Sequence, residues 1–342
     1  MGRSRYRGTR GTSTGGVPPA TSATAVGVRG DARQELLPFG RASAEASFED
    51  KREAAEADSR RLMRRIRDRI DPDFVDHGQG HTDRVAQNLD HLRNVSEEAG
   101  ITQRVLGRGH TEEESALQDV AAQLHDAGRG MPDRGVSHAV SSGEYIRQNR
   151  DLPLKPWERE RAARYAELHS DRATKELYGT DNLNELAERG VLSREEAYHA
   201  SEIRLADALD VGKKRAETNS QGEPMNRVVE RLRRNQSPEN QGKLTHWYGH
   251  NGIREVRQRT DQNKILISFD LDSHEVGQHG ADVAFRVRDT LRDANTTLYR
   301  HKYSVQFTTD NPEASRNWYR RYGYLFAAES EGVTTYLGRS TQ

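Results

Sequence analysis

The feature that most constrains this chain is a pair of apolar stripes at helical spacing in its middle. Val85, Leu89, Leu92 and Val95 recur along one face of a stretch from about His81 to Glu98, and Gly100 marks its end. Leu117, Val120, Ala121 and Leu124 do the same between about Glu112 and Ala127, with Gly128 as the stop. Residues three and four apart share one side of a 3.6-residue turn, so each stretch reads as an amphipathic helix with a face to bury. Further helices are predicted at 48–70, ended by Asp71-Pro72-Asp73, near 137–149 and 156–169, and from the capping-box string Ser193-Arg194-Glu195-Glu196 to about Leu209. Short amphipathic helices satisfy their apolar faces by packing together, which predicts a helical bundle over 46–215.

The flanks read differently. Residues 1–45 are rich in Gly, Ser, Thr, Ala, Pro and Arg without a period, so a disordered tail is expected there. Its Arg3, Arg5, Arg7 and Arg10 offer at most a weak tether to an anionic partner. After Arg215 come a polar helix near 224–234, a Gln/Asn-rich stretch at 235–241, and β-like runs around 252–256 and 264–269. A helix over about 281–298 and an alternating strand at 303–307 follow. This predicts a small α/β extension over 216–342, of unassigned role, whose Tyr-rich end has no predicted element. The fold class expected is therefore mainly α, a bundle with a C-terminal α/β appendage and a disordered N-terminal tail.

Composition removes several functions. The chain has no cysteine, which excludes disulfides, thiolate ligands and a Cys nucleophile. Lys+Arg and Asp+Glu both number 53, and this balance argues against a nucleic-acid partner. No apolar run approaches the roughly 18–20 residues that span a bilayer. Met1-Gly2-Arg3-Ser4-Arg5 has no apolar stretch behind it, so it does not read as a secretory signal. A cytoplasmic protein without a membrane partner is expected.

The candidate chemistry lies at His125-Asp126, in Leu124-His125-Asp126-Ala127-Gly128-Arg129, on the last turn of a striped helix. Upstream stands His81, in Asp76-His77-Gly78-Gln79-Gly80-His81-Thr82-Asp83-Arg84-Val85. Downstream stand His138, His169 and Asp207, the last in Ala206-Asp207-Ala208-Leu209-Asp210. Each lies on or beside a predicted helix, so a bundle can bring them to one point. Imidazole and carboxylate without thiolate suit Mn, Fe, Co, Ni or Zn, and Mg where carboxylate dominates.

The order His81, His125-Asp126, Asp207 resembles the ligand order of the HD phosphohydrolase superfamily. The 76–85 string is similar to that family's first-ligand helix, and 206–210 to its last-ligand motif. The resemblance covers roughly residues 74–215. It implies a metal-dependent phosphohydrolase that cleaves a nucleotide or related phosphate ester with metal-activated water. By the same resemblance His81, His125, Asp126 and Asp207 hold one divalent ion, and Asp126 bridges to a second held by His138 and His169. The alternative is one ion, with these two histidines contacting substrate. Arg129, where relatives often carry Lys or Arg, is a candidate phosphate ligand. Lys213, Lys214 and Arg215 read first as a solvated helix end. His77 and Asp210 read as supporting residues. His246 and His250, and His274 and His279, are set aside as metal ligands. Two other uses of the same ligands stay open: a di-iron oxygenase, and a nucleotide-binding sensor or scaffold without catalysis. Oligomeric state is not legible.

Overall fold

The computed structural model describes residues 46–131, 135–235 and 237–329, and the backbone of 335–339. The tail predicted over 1–45 lies outside the described residues. The first helix, α1 (Phe48–Ile66), opens from a capping box in which the Ser47 hydroxyl accepts from the Asp50 amide and the Asp50 carboxylate accepts from the Ser47 amide. It ends four residues before the predicted Ile70, tightening into a 3-10 turn at Arg67–Arg69. Next come α2 (Gln79–Glu98) and α3 (Ile101–Leu106), joined at Gly100, whose φ of 64° lets the chain turn between them. Thr111 and Glu114 form the box that starts α4 (Glu112–Leu124). Then follow α5 (His138–Gln148), α6 (Pro156–Leu168), α7 (Asp171–Tyr178) and α8 (Leu183–Glu188). The box predicted at Ser193 is present and opens α9 (Arg194–Ala208).

Past the bundle, α10 (Met225–Arg234) leads to α11 (Pro238–Asn251). The sequence reading expected a Gln/Asn-rich linker running into a strand at this point. Ser237 caps the helix and Pro238 opens it, which is a strong start signal. The strands β1 (Ile253–Asp261) and β2 (Lys264–Leu271) form an antiparallel hairpin around Gln262 and Asn263. From β2 the chain crosses through α12 (Ser273–Asn295) to β3 (Tyr303–Thr309), and through α13 (Pro312–Tyr322) to β4 (Thr335–Arg339). Both crossovers make parallel pairs, so the sheet runs β1-β2-β3-β4. α12 starts eight residues before the predicted 281. Its first turns hold Gly277 and Gly280, poor helix formers, and His279 kinks it.

One apolar core runs through both parts. Val85, Leu89 and Leu92 of α2, Leu117 and Leu124 of α4, and Ile203 and Leu205 of α9 join Ile267, Phe269, Val287, Leu291, Val305 and Phe307 in a single cluster. The division drawn at 215/216 from sequence is therefore not a division between cores. Among the described residues no helix is long and apolar enough to cross a membrane.

Candidate metal centre

The helix ends bring the predicted ligands together. His81 lies in the first turn of α2, and His125 and His169 cap the C-termini of α4 and α6. Asp207 lies in the last turn of α9, and His138 is the first residue of α5. The His81 Nε2 is 3.2 Å from the His125 Nε2 and 3.2 Å from Asp207 Oδ1. One donor atom each from His81, His125 and Asp207 lies within 4.8 Å of the others, and the same holds for His125, Asp126 and His169. The two oxygens of Asp126 face different neighbours. Its Oδ2 is 3.6 Å from His81 Nε2 and 2.6 Å from Arg129 Nε. Its Oδ1 is 3.2 Å from His138 Nε2 and has no hydrogen bond, nor has that nitrogen.

Gly128 sets the placement of His138. A Cβ there would stand 2.0 Å from the His138 carbonyl oxygen, so only glycine lets α5 approach. The Gly128 amide donates to Ser142 Oγ at 2.8 Å, locking the approach. His169 is held by Arg204 of α9, a buried guanidinium that donates to the carbonyls of Leu168 and Ser170 on either side of it. Arg204 also donates to the Asp181 carbonyl and to Thr174 Oγ1.

The hydrogen bonds fix which nitrogen of each ring carries the proton. His125 Nδ1 lies 2.7 Å from the Ala122 carbonyl, and His169 Nδ1 lies 2.5 Å from the Ala166 carbonyl. A carbonyl only accepts, so both Nδ1 atoms are protonated and both Nε2 atoms carry lone pairs. His81 Nδ1 is 2.6 Å from Asp210 Oδ2, and Arg84 donates to the other oxygen of that carboxylate at 2.7 Å. The Nε2 atoms of His81 and His125 face each other at 3.2 Å, and since His125 Nε2 carries a lone pair, either a proton on His81 or a metal ion must lie between them. The donors and their outer partners fit a divalent ion, since ligating imidazoles are held this way through their other nitrogen.

Electrostatics agree. Burial opposes the ionised Asp126, but Arg129 and His125 hold its carboxyl well below the usual carboxylate range. Burial likewise opposes ionised Asp207, which its contacts with His81 and the charge of His125 keep well down. His169 is pushed down to about 3 by burial and by His125. Burial also lowers His125. His81 moves up, because Asp207 and Asp210 outweigh burial and Arg215. Asp126 and Asp207 are held ionised and His125 and His169 neutral, the forms a metal needs, while His81 between Asp207 and Asp210 is drawn toward the protonated form that an ion would have to displace.

Beside the cluster opens a cavity of about 470 Å³, lined by Arg69, Phe74, His77, Arg129, His138, Arg172 and His246 among others. Arg129 lines it, with its Nε paired to Asp126 rather than turned to the cavity. The sequence assigned no role to Arg84, Arg172, Arg204 or Phe74. His246, set aside there as a metal ligand, lines the cavity wall from α11. His77 supports, its Nδ1 donating to the Val75 carbonyl at 2.7 Å. Arg215 is buried and donates to the carbonyls of Asp210 and Asp76, while Lys213 and Lys214 are exposed. His250 accepts from the Gly212 amide, and His279 stacks on Tyr248. Neither family models nor curated proteins give a match to the chain.

Proposed function

We propose that this chain is a metal-dependent phosphohydrolase of the HD type, acting on a nucleotide or related phosphate ester. The observation that carries the reading is the pair of opposed Nε2 atoms of His81 and His125, ringed by Asp126 and Asp207 and set beside an arginine-lined cavity. His81, His125, Asp126 and Asp207 would hold one ion. His138 and His169 would hold a second, with Asp126 shared, as the opposite directions of its two oxygens support. A divalent ion there makes its water acidic and offsets charge growing on phosphoryl oxygens.

The chain's own residues do the rest. Arg129 and Arg172 line the cavity, where guanidinium groups can take phosphate oxygens in pairs. Phe74 presents an aromatic ring to the same space, suited to the flat face of a base. Asp210 and Arg84 keep the His81 ring in one orientation through its Nδ1–H.

The test is an assay of phosphate release by the full chain. It is loaded in turn with Mn²⁺, Fe²⁺, Co²⁺, Ni²⁺, Zn²⁺ or Mg²⁺ and offered nucleotides and dinucleoside polyphosphates. Turnover that disappears with a chelator and with Asp126→Ala is expected. Nucleotide binding without turnover under every metal would make the chain a sensor, and oxygen consumption by the iron form would make it an oxygenase.

A further inference from the structure

A second group of histidines and carboxylates lies away from the cavity, around α4 and α9. His199 and Glu202 sit mid-helix on α9, both with no exposure. Glu114 stands in the first turn of α4, and His110 in the loop before it. His110 Nε2 is 3.1 Å from Glu202 Oε1, and His199 Nδ1 is 3.5 Å from Glu202 Oε2. Yet none of the four ring nitrogens of His110 and His199 makes a hydrogen bond. Leaving a buried polar nitrogen unsatisfied costs about 1–3 kcal/mol, so four together need a cause.

The carboxylates, in contrast, are firmly held. Glu202 accepts from Gln118 Nε2 at 2.7 Å and from the Tyr299 hydroxyl at 3.0 Å. Glu114 is paired with Arg108 and accepts from the Thr111 amide. Among the described residues no lysine or arginine pairs with Glu202, whose only charge-capable neighbours within 4 Å are His110 and His199. Against the effect of burial, Glu114 and Glu202 push the His199 imidazole up, so the counter-charge of this carboxylate must be a proton on His199 or a cation between the rings.

We infer that His110 Nε2, His199 Nδ1 and the Glu202 carboxylate form a metal site for a zinc-like divalent ion, distinct from the cavity centre. One donor from each of the three lies within 4.8 Å of the others. His110 Nε2 faces one carboxylate oxygen at 3.1 Å and His199 Nδ1 faces the other at 3.5 Å, separations short enough for one ion with Zn–N bonds near about 2.0–2.1 Å to be shared between rings and carboxylate. Glu114 completes the arrangement from outside. Its Oε1 lies 3.4 Å from His199 Nε2, positioned to draw the N–H of a ring that would ligate through Nδ1. Two imidazoles and one carboxylate, without thiolate, suit zinc, cobalt or nickel. Tyr165 and Tyr198 pack their rings on His199, and Tyr198 stacks on His110. The site is walled off from substrate, so its ion ties the α3–α4 loop to α9 and takes no part in turnover.

The test uses the full chain, freed of metal by a chelator and titrated with Zn²⁺ and separately with Co²⁺. Wild type should bind one more equivalent of zinc by elemental analysis than His110→Gln, a loop substitution that leaves the core intact. Zinc should raise the melting temperature of wild type more than that of the variant. His110→Cys should keep the extra equivalent, and its cobalt form should gain a thiolate charge-transfer band absent from wild type. Equal zinc in wild type and His110→Gln, or no such band in His110→Cys, overturns the site.

Discussion

Two clusters built from the same residue types hang on the same two helices. α4 carries Glu114 near its start and His125 at its end, and α9 carries His199, Glu202 and Asp207. Along α9, Asp207 follows His199 by about 12 Å and Glu202 by about 7.5 Å at 1.5 Å per residue. In the cavity cluster the rings of His81, His125 and His169 are fixed, each Nδ1–H held by a carbonyl or by Asp210. In the inner cluster the carboxylates are fixed and the imidazoles are not. The first opens on arginines, and the second is closed by tyrosine rings. Ligand type alone does not assign a role. Access does: an open cluster can meet a phosphate, while a closed one can only hold its helices together.

The largest expected effect separates the two by Asp126→Ala. This removes the carboxylate common to both halves of the cavity cluster. Phosphate release should fall by about a thousandfold or more, roughly 4 kcal/mol of transition-state stabilisation. The equivalent of zinc assigned to His110, His199 and Glu202 should remain. Loss of that inner zinc as well in a folded variant would show that the clusters act as one unit.

Asp210→Asn should come next. It weakens the acceptor that orients His81, and such outer partners are worth about 10–100-fold in metal affinity. Competition with a chromogenic chelator measures this. An unchanged affinity would mean that the His81 ring is held by packing alone.

Acid should act on the cavity cluster through His169. Its value is 6.5 in the unfolded chain and about 3 in the folded one, so the unfolded state gains the proton first as pH falls. The stability it contributes is complete above about pH 6.5 and is lost on the way down toward 3. At pH 5.5 the loss is about 1.4 kcal/mol. Urea denaturation of the metal-free chain should show wild type losing that much more than His169→Gln between pH 7.5 and 5.5. Equal losses would leave His169 without a buried, neutral state.

The smallest effect concerns the inner cluster. Tyr299→Phe removes one of the two neutral donors on Glu202 and should cost about 1 kcal/mol. A calorimetric melt with zinc present and absent would show whether the ion recovers part of it.

Legibility followed the same divide. The convergence of the cavity residues was readable because several sit in short strings at a helix end: Gly128 after His125-Asp126, Ser170 after His169. His199 and Glu202 gave no such sign. On paper, α9 reads as a helix with a polar face, since Glu202 and Arg204 interrupt its apolar residues. In the fold it is packed on nearly every side, with His199, Ser201, Glu202 and Arg204 all buried. Periodicity cannot report a helix whose polar side meets other elements' polar side chains, because that partnership is made by residues such as Gln118 and Tyr299, far away in sequence. The end of the chain was opaque for a related reason. Trp318 of α13 packs on Phe307 and Phe326 and donates its Nε1–H to the Gly280 carbonyl of α12, partners far away in sequence or on other elements.

The clamp that Arg204 places on either side of His169 bears on ionic strength. Its acceptors at Leu168, Ser170, Asp181 and Thr174 are all uncharged oxygens, and the guanidinium is 2% exposed. Dissolved ions screen charge pairs that water can reach. They have no grip on a buried cation bound by dipoles. Concentrated salt can loosen the partly exposed Arg129–Asp126 pair at one edge of the cavity, while the imidazole at the other edge keeps its place from dilute buffer to brine.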